Sequence, residues 1–189
     1  MKKTYEIEVG TKGITPIMFD RYAGDNKTEL QPQDKMYFAQ DGKSLVLPAI
    51  NIMSYLTAEN TTSVPKRFLD TREYKQVCKA MLSYITVSPF LIPFTANGKP
   101  IKWTGEWNDQ IWLHKTVARL PKGIPNPKER PVVNLPWELA LTLTVIENDD
   151  FNMKLLQDLF QRGGIALGFG TWRGLFGKFD VDKWEMKEV

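Results

Sequence analysis

Cysteine and histidine each occur once in the 189 residues, as Cys78 and His114. A single thiol excludes an internal disulfide and any cysteine-cluster zinc site, and a single imidazole excludes a histidine-rich metal centre. No apolar run approaches the ~18 residues that a membrane-crossing helix needs. The start, MKKTYEIEVG, has two lysines but no apolar stretch after them, so it does not read as a signal peptide. These absences lead us to expect a cytoplasmic protein with no membrane partner, no metal and no cofactor. Neither charge sign dominates: 25 basic residues against 22 acidic give +3, which permits a nucleic-acid partner without demanding one. The length fits one domain with a sizeable core, and we place an insertion around 87–131.

TYEIEV alternates, with Tyr5, Ile7 and Val9 on one face and Glu6 and Glu8 on the other, as in a half-buried strand. Residues 20–44 are polar and interrupted by Gly24, Pro32 and Gly42, and read as a long loop with a short strand at KMYFA. Ile50, Met53 and Leu56 recur at a spacing that suits a short helix. Residues 66–85 predict a longer one: Tyr74, Val77, Cys78, Met81, Leu82 and Ile85 follow the i, i+3, i+4 pattern, and Asp70 with Glu73 suits its start. Arg72, Lys75 and Lys79 fall on the opposite, solvated side. FLIPFTANGKPIKW reads as a hairpin turning at Asn97-Gly98, and IWLHKTVARL as a strand. PKGIPNPKERP, with four prolines and a glycine, reads as an irregular, stiffened arm. WELALTLTVI alternates with Leu139, Leu141, Leu143 and Val145 inward. A helix then begins near Asp149 or Asp150, buries Leu155, Leu156, Leu159 and Phe160, and stops at Gly163 and Gly164. KFDVDKWEM closes as a strand. The order predicts an α+β fold: a ferredoxin-like (RRM-like) antiparallel sheet with helices on one face and inserted loops and a hairpin.

Six of the 13 glycines fall in GGIALGFGTWRGLFGKF, residues 163–179. This is not a P-loop: Gly177 and Lys178 are followed by Phe179, and Trp172 stands five before Gly177. Nor is it a dinucleotide fingerprint: Gly168 and Gly170 fit, but Arg173 holds the third position, and the segment follows a helix instead of opening one. Two readings stay open. The glycines let helix and strand cross closely, or they let a polyanion approach the main chain, with Arg173 and Lys178 for phosphates and Trp172 as a stacking face.

The order of motifs adds to this. GFGTWRGLFGKFDV resembles the glycine-rich loop of the RAMP superfamily, the RNA-binding proteins of CRISPR effector complexes; Gly168, Gly170, Arg173 and Gly174 match, with one extra residue between Gly174 and Gly177. YEIEVGTKGITPIMF looks like the family's first strand. DGKSLVLPAINIMSYL looks like the entry to its first helix: Pro48 matches, while Asn51, Met53 and Ser54 replace the usual serine, lysine and glycine. VARLPKGIPNPKERPVVNLPWELALTLTV resembles its mid-domain insertion returning to the third strand. The resemblance implies a single RAMP-like domain, nearest to the subunit that coats guide RNA, with single-stranded RNA and other such subunits or copies of itself as partners.

On that reading the nucleic-acid-binding residues are Gly168, Gly170, Trp172, Arg173, Gly174 and Lys178 of the glycine-rich loop. His114, Lys115, Arg119, Lys122, Lys128 and Arg130 join them from the arm, and Arg21 and Lys27 from the loop after the first strand. A backbone subunit binds phosphates and shape, so catalysis is not expected of it. Two other classes stand beside this one. A RAMP-type endoribonuclease would use Asp34 with a metal, or His114 as a general base. A ferredoxin-like interaction module would bind protein through Trp103, Trp107, Trp112 or Trp137.

Overall fold

The computed structural model describes residues 2–25, 27–119, 123 and 125–189, with the backbone alone at 118 and 119. The chain opens with β1 (Thr4–Gly13) and β2 (Ile17–Met18), then a 3-10 turn (Pro32–Lys35) and β3 (Val46–Pro48). Three helices follow, α1 (Ala49–Thr57), α2 (Val64–Phe68) and α3 (Thr71–Tyr84), leading into β4 (Ile85–Ser88). Short strands β5 (Leu91–Pro93), β6 (Thr95–Ala96) and β7 (Lys99–Pro100) precede the long pair β8 (Ile111–Arg119) and β9 (Pro125–Val133). The chain closes with β10 (Glu138–Ile146), α4 (Met153–Ala166) and β11 (Phe179–Glu188).

Four strands make the frame. β11 pairs β1, β1 pairs β10 and β10 pairs β4, all antiparallel. With helices between β1 and β4 and α4 between β10 and β11, this is the βαββαβ plan of the ferredoxin-like fold, and the fold class is as the sequence predicts. The period of two puts Ile7, Val9, Leu141, Leu143 and Val145 on the inner face, where they pack with Val77, Met81, Leu156, Leu159 and Phe160 of the helices. The outer face carries cross-strand ion pairs: Lys187 with Glu6 at 2.8 Å, Lys183 with Glu8 at 2.6 Å and Lys12 with Asp182 at 3.0 Å. Between them lie Gly10, Ala140, Thr142 and Thr144. No aromatic side chain stands on that face among the described residues, so it offers no stacking platform of the RRM kind.

Several local expectations change. α1 buries Ala49, Ile52, Tyr55 and Leu56, and Ile50 is 67% exposed, because Tyr55 and not Met53 fills the core. The 66–85 helix is two, broken at Leu69 and restarted at Asp70, whose carboxylate accepts from the N–H groups of Arg72 (2.9 Å) and Glu73 (3.0 Å). Leu82 on it is exposed and Ile85 already belongs to β4. Asn152, not Asp149 or Asp150, caps α4; Asp150 instead accepts from the Gln76 side chain at 2.6 Å. Nor do Gly163 and Gly164 end that helix. It runs on to Ala166, and the two glycines let it lie against the Tyr55 ring and the Phe179 backbone.

The largest change is at the proline-rich segment. Pro125–Val133 is a regular strand in unbroken antiparallel register with β8, from Ile111↔Val133 to Arg119↔Pro125. Pro125, Pro127 and Pro131 share one parity, so all three missing N–H groups fall on the side turned away from β8. The outward direction is visible in two carbonyls of the same parity: that of Pro131 accepts from the N–H of Phe19 at 3.0 Å, and that of Glu129 from Lys35 Nζ at 2.8 Å. Proline at alternating positions on one edge therefore costs this ladder no hydrogen bond. β2 pairs the base of β9 through Ile17↔Val133 and Met18↔Val132, and so fixes the β8–β9 hairpin to the core.

Candidate nucleic-acid interface

The glycine-rich loop is built by its contacts with the segment just after β1. The N–H of Thr171 donates to the Met18 carbonyl (2.8 Å), that of Gly177 to Pro16 (2.8 Å), and that of Lys178 to Thr15 Oγ1 (3.0 Å). Gly168 and Gly177 (φ +78° and +75°) face each other across the loop, where Phe169 N–H donates to the Gly177 carbonyl at 2.9 Å. A Cβ on either would collide with the opposing backbone, and one on Gly170 would meet the Met18 carbonyl. Gly174, at φ +91°, has only one atom within 4 Å of such a Cβ, the Ala166 carbonyl oxygen at 3.9 Å. The glycines thus serve the fold: they let the loop close on itself and on residues 15–18.

That clamp displays the side chains between them. Trp172, itself at φ +56° and 48% exposed, turns towards the β8–β9 hairpin. Its ring centroid lies 6.2 Å from His114 and 6.0 Å from Phe176, and His114 sits 5.7 Å from Phe176 and 5.5 Å from Trp112. Arg173 turns elsewhere, towards Tyr55 and Thr61, whose hydroxyl lies 3.5 Å from a guanidinium nitrogen. Burial lowers the Arg173 pKa, and no carboxylate pairs with it among the described residues. The neighbours Trp172 and Arg173 therefore address different surfaces.

Opposite residues of an antiparallel ladder point to the same face. His114↔Arg130 and Thr116↔Lys128 place those four side chains together on the side that meets the loop. Thr116, Val117, Arg130, Thr171 and Trp172 line a cleft of about 370 Å³ there. Arg130 is mostly buried, and its Nε donates to Asp20 at 2.7 Å; Lys35 lies 3.6 Å from the same carboxylate. Asp20 thereby ties the hairpin to the loop after β1. Lys115 is on the opposite face, in an exposed pair with Glu129 at 2.8 Å, the kind that is worth little and opens readily.

Lys128 lines an adjoining groove with Arg21 and Tyr22. Arg21 is exposed, with its guanidinium 5.6 Å from the centre of the Tyr37 ring, and Lys27 is exposed nearby. Lys178 is half-buried beside Thr15. Arg119 closes the ladder with Pro125, its side chain lying outside the described residues together with Lys122. Asp34 is exposed on the 3-10 turn, apart from the aromatic cluster. Among the described residues no three His, Cys, Asp or Glu side chains gather as metal ligands. Of the tryptophans, Trp137 is wholly buried with its indole N–H on the Thr15 carbonyl (2.8 Å), and Trp103 packs on Trp107 at 4.7 Å. Phe176 and Trp112 complete the cluster: the sequence offers Trp112 as a protein-binding candidate and nothing that sets Phe176 apart from a core residue.

No family model and no curated protein matches the sequence. Among solved structures, the chain is similar to a chain of the cryo-EM structure of the Type III-B Cmr-beta bound to cognate target RNA, with a TM-score of 0.62 at 12% identity. The match covers 97% of this chain and 61% of that one, so this chain spans about three-fifths of its neighbour's length. The likeness shows a shared fold, the ferredoxin-like plan described above. No helix among the described residues is long and apolar enough to cross a membrane.

Proposed function

We propose that this chain is a non-catalytic subunit that binds single-stranded RNA in an RNA-guided complex, alongside other RAMP proteins or copies of itself. The observation that carries the reading is the convergence of two elements far apart in sequence: the glycine-rich loop and the β8–β9 hairpin meet at Trp172 and His114. Lys128 shares the hairpin face of His114, and Arg21 and Lys27 stand exposed on the loop after β1; these cations can reach phosphates without reading sequence, with Lys178 on the glycine-rich loop and Lys115 on the hairpin's other face. The outer sheet face is the poorer surface, since it presents no aromatic side chain among the described residues and its lysines are interleaved with Glu6, Glu8 and Asp182. The structural neighbour's assembly is bound to RNA, which is the chemistry this surface suits.

The test is binding of labelled single-stranded RNA, single-stranded DNA and duplex across a salt series, with the RNA also run on a denaturing gel. Tight RNA binding that weakens steeply with salt, with the strand left whole, is the expected result. No binding at low salt would refute it, as would affinity indifferent to salt. Strand cleavage that Asp34→Ala or His114→Ala abolishes would move the chain into the endoribonuclease class.

A further inference from the structure

The residue most at odds with its backbone is Trp172. A φ of +56° is a left-handed conformation that L side chains of this bulk avoid, in a loop where four other positive-φ positions are glycine. The conformation is imposed from both sides: Thr171 N–H is held by Met18, Gly174 N–H by Leu167 (2.7 Å), and the Trp172 carbonyl accepts from Phe176 N–H (3.2 Å). Glycine would be the relaxed choice here. The tryptophan gains only partial burial in return, since it stays 48% exposed. Strain held by a surrounding clamp and carrying an exposed ring is a feature of sites that present a group to a ligand.

What the ring presents is a flat surface on one wall of the cleft, supported from behind by His114 and Phe176. Among the described residues the remaining wall positions are Thr116, Val117 and Thr171; Val117 has the opposite parity to Thr116 on β8, and the two threonines bring hydroxyls able to donate or accept. Arg130 is held at the floor by Asp20 and so is not available as a free phosphate ligand. An apolar slot with a planar wall and a few neutral polar groups suits a planar heteroaromatic ligand better than an anion.

We infer that this cleft takes one nucleobase of the bound strand, stacked on Trp172, so that each protomer adds a base-dependent, salt-independent increment to its phosphate contacts. The inference rests on the RNA-binding reading above. It is tested with a short single-stranded RNA and an abasic strand of the same length, bound by the wild type, Trp172→Gly and Trp172→Phe. Glycine relaxes the backbone at this position but gives up the ring contacts with His114 and Phe176, so circular dichroism checks the fold of W172G, and W172F, which keeps a ring there, is the second variant. One aromatic stack should favour the base-bearing strand by about 5- to 150-fold in the wild type. W172G should lose most of that preference, W172F should keep part of it, and the salt slope should be the same in all three. If W172G discriminates between the strands as the wild type does, the base site is refuted while RNA binding stands. If neither strand binds at low salt, the RNA-binding reading falls and this inference falls with it.

Discussion

Gly177→Ala tests how tightly the glycine-rich loop is clamped. Gly177 sits at φ +75°; its N–H donates to Pro16 at 2.8 Å and its carbonyl accepts from Phe169 at 2.9 Å. An alanine Cβ would press against the Phe169 carbonyl, so the chain must move and strain both hydrogen bonds. The left-handed conformation costs an alanine about 1–2 kcal/mol. Each hydrogen bond lost adds about 1 kcal/mol. The total is about 3–4 kcal/mol, and with a urea m-value of about 2 kcal/mol/M the midpoint should fall by roughly 1.5–2 M. Gly42→Ala is the control: φ is +67°, but nothing lies within 4 Å of the added Cβ, so only the same backbone cost of about 1–2 kcal/mol applies. Equilibrium urea unfolding of both variants reads the difference. If G177A and G42A unfold within about 0.5 kcal/mol of each other, the loop is not held as described.

Other outcomes follow from the same contacts. Asp70→Ala removes the cap of α3 and should cost about 1 kcal/mol in urea unfolding. Asp20→Asn leaves Arg130 and Lys35 beside a neutral group; these two are mostly buried, so a loss of about 2–3 kcal/mol is expected, with faster proteolysis of the hairpin as a second readout. Asp41 accepts from Ser44 Oγ (2.6 Å) and from the N–H groups of Ser44 and Lys43, which pulls its carboxyl down to about 2 from 3.8. A depressed folded pKa means the turn's contribution is complete above the unfolded value and is lost as pH falls through about 2, so an NMR titration should find Asp41 still ionised at pH 3.

The frame of the fold is legible because period-two burial is written into β1 and β10 with hardly an exception. The hairpin strand β9 is not, because proline content argues against a strand unless parity is considered. Prolines 125, 127 and 131 are all odd, on the side of β9 that has no strand neighbour beyond the β2 pairing at Val132 and Val133. Residues 163–164 mislead for a related reason: glycine marks helix ends, but here it marks where a helix must approach Tyr55 and Phe179 closely. At the candidate site, charge and glycine located the loop and the hairpin separately. That they meet, and that Trp172 and Arg173 part company, depends on the left-handed backbone at Trp172, which sequence does not disclose.

The most direct test of the account is to cross-link single-stranded RNA to the protein by ultraviolet light and map the attached peptides by mass spectrometry. The account predicts attachment within residues 112–130 and 168–178, with Trp172 or His114 among the sites. Attachment confined to the outer sheet face, at 180–187, or to the lysine and arginine stripe of α3 would contradict it.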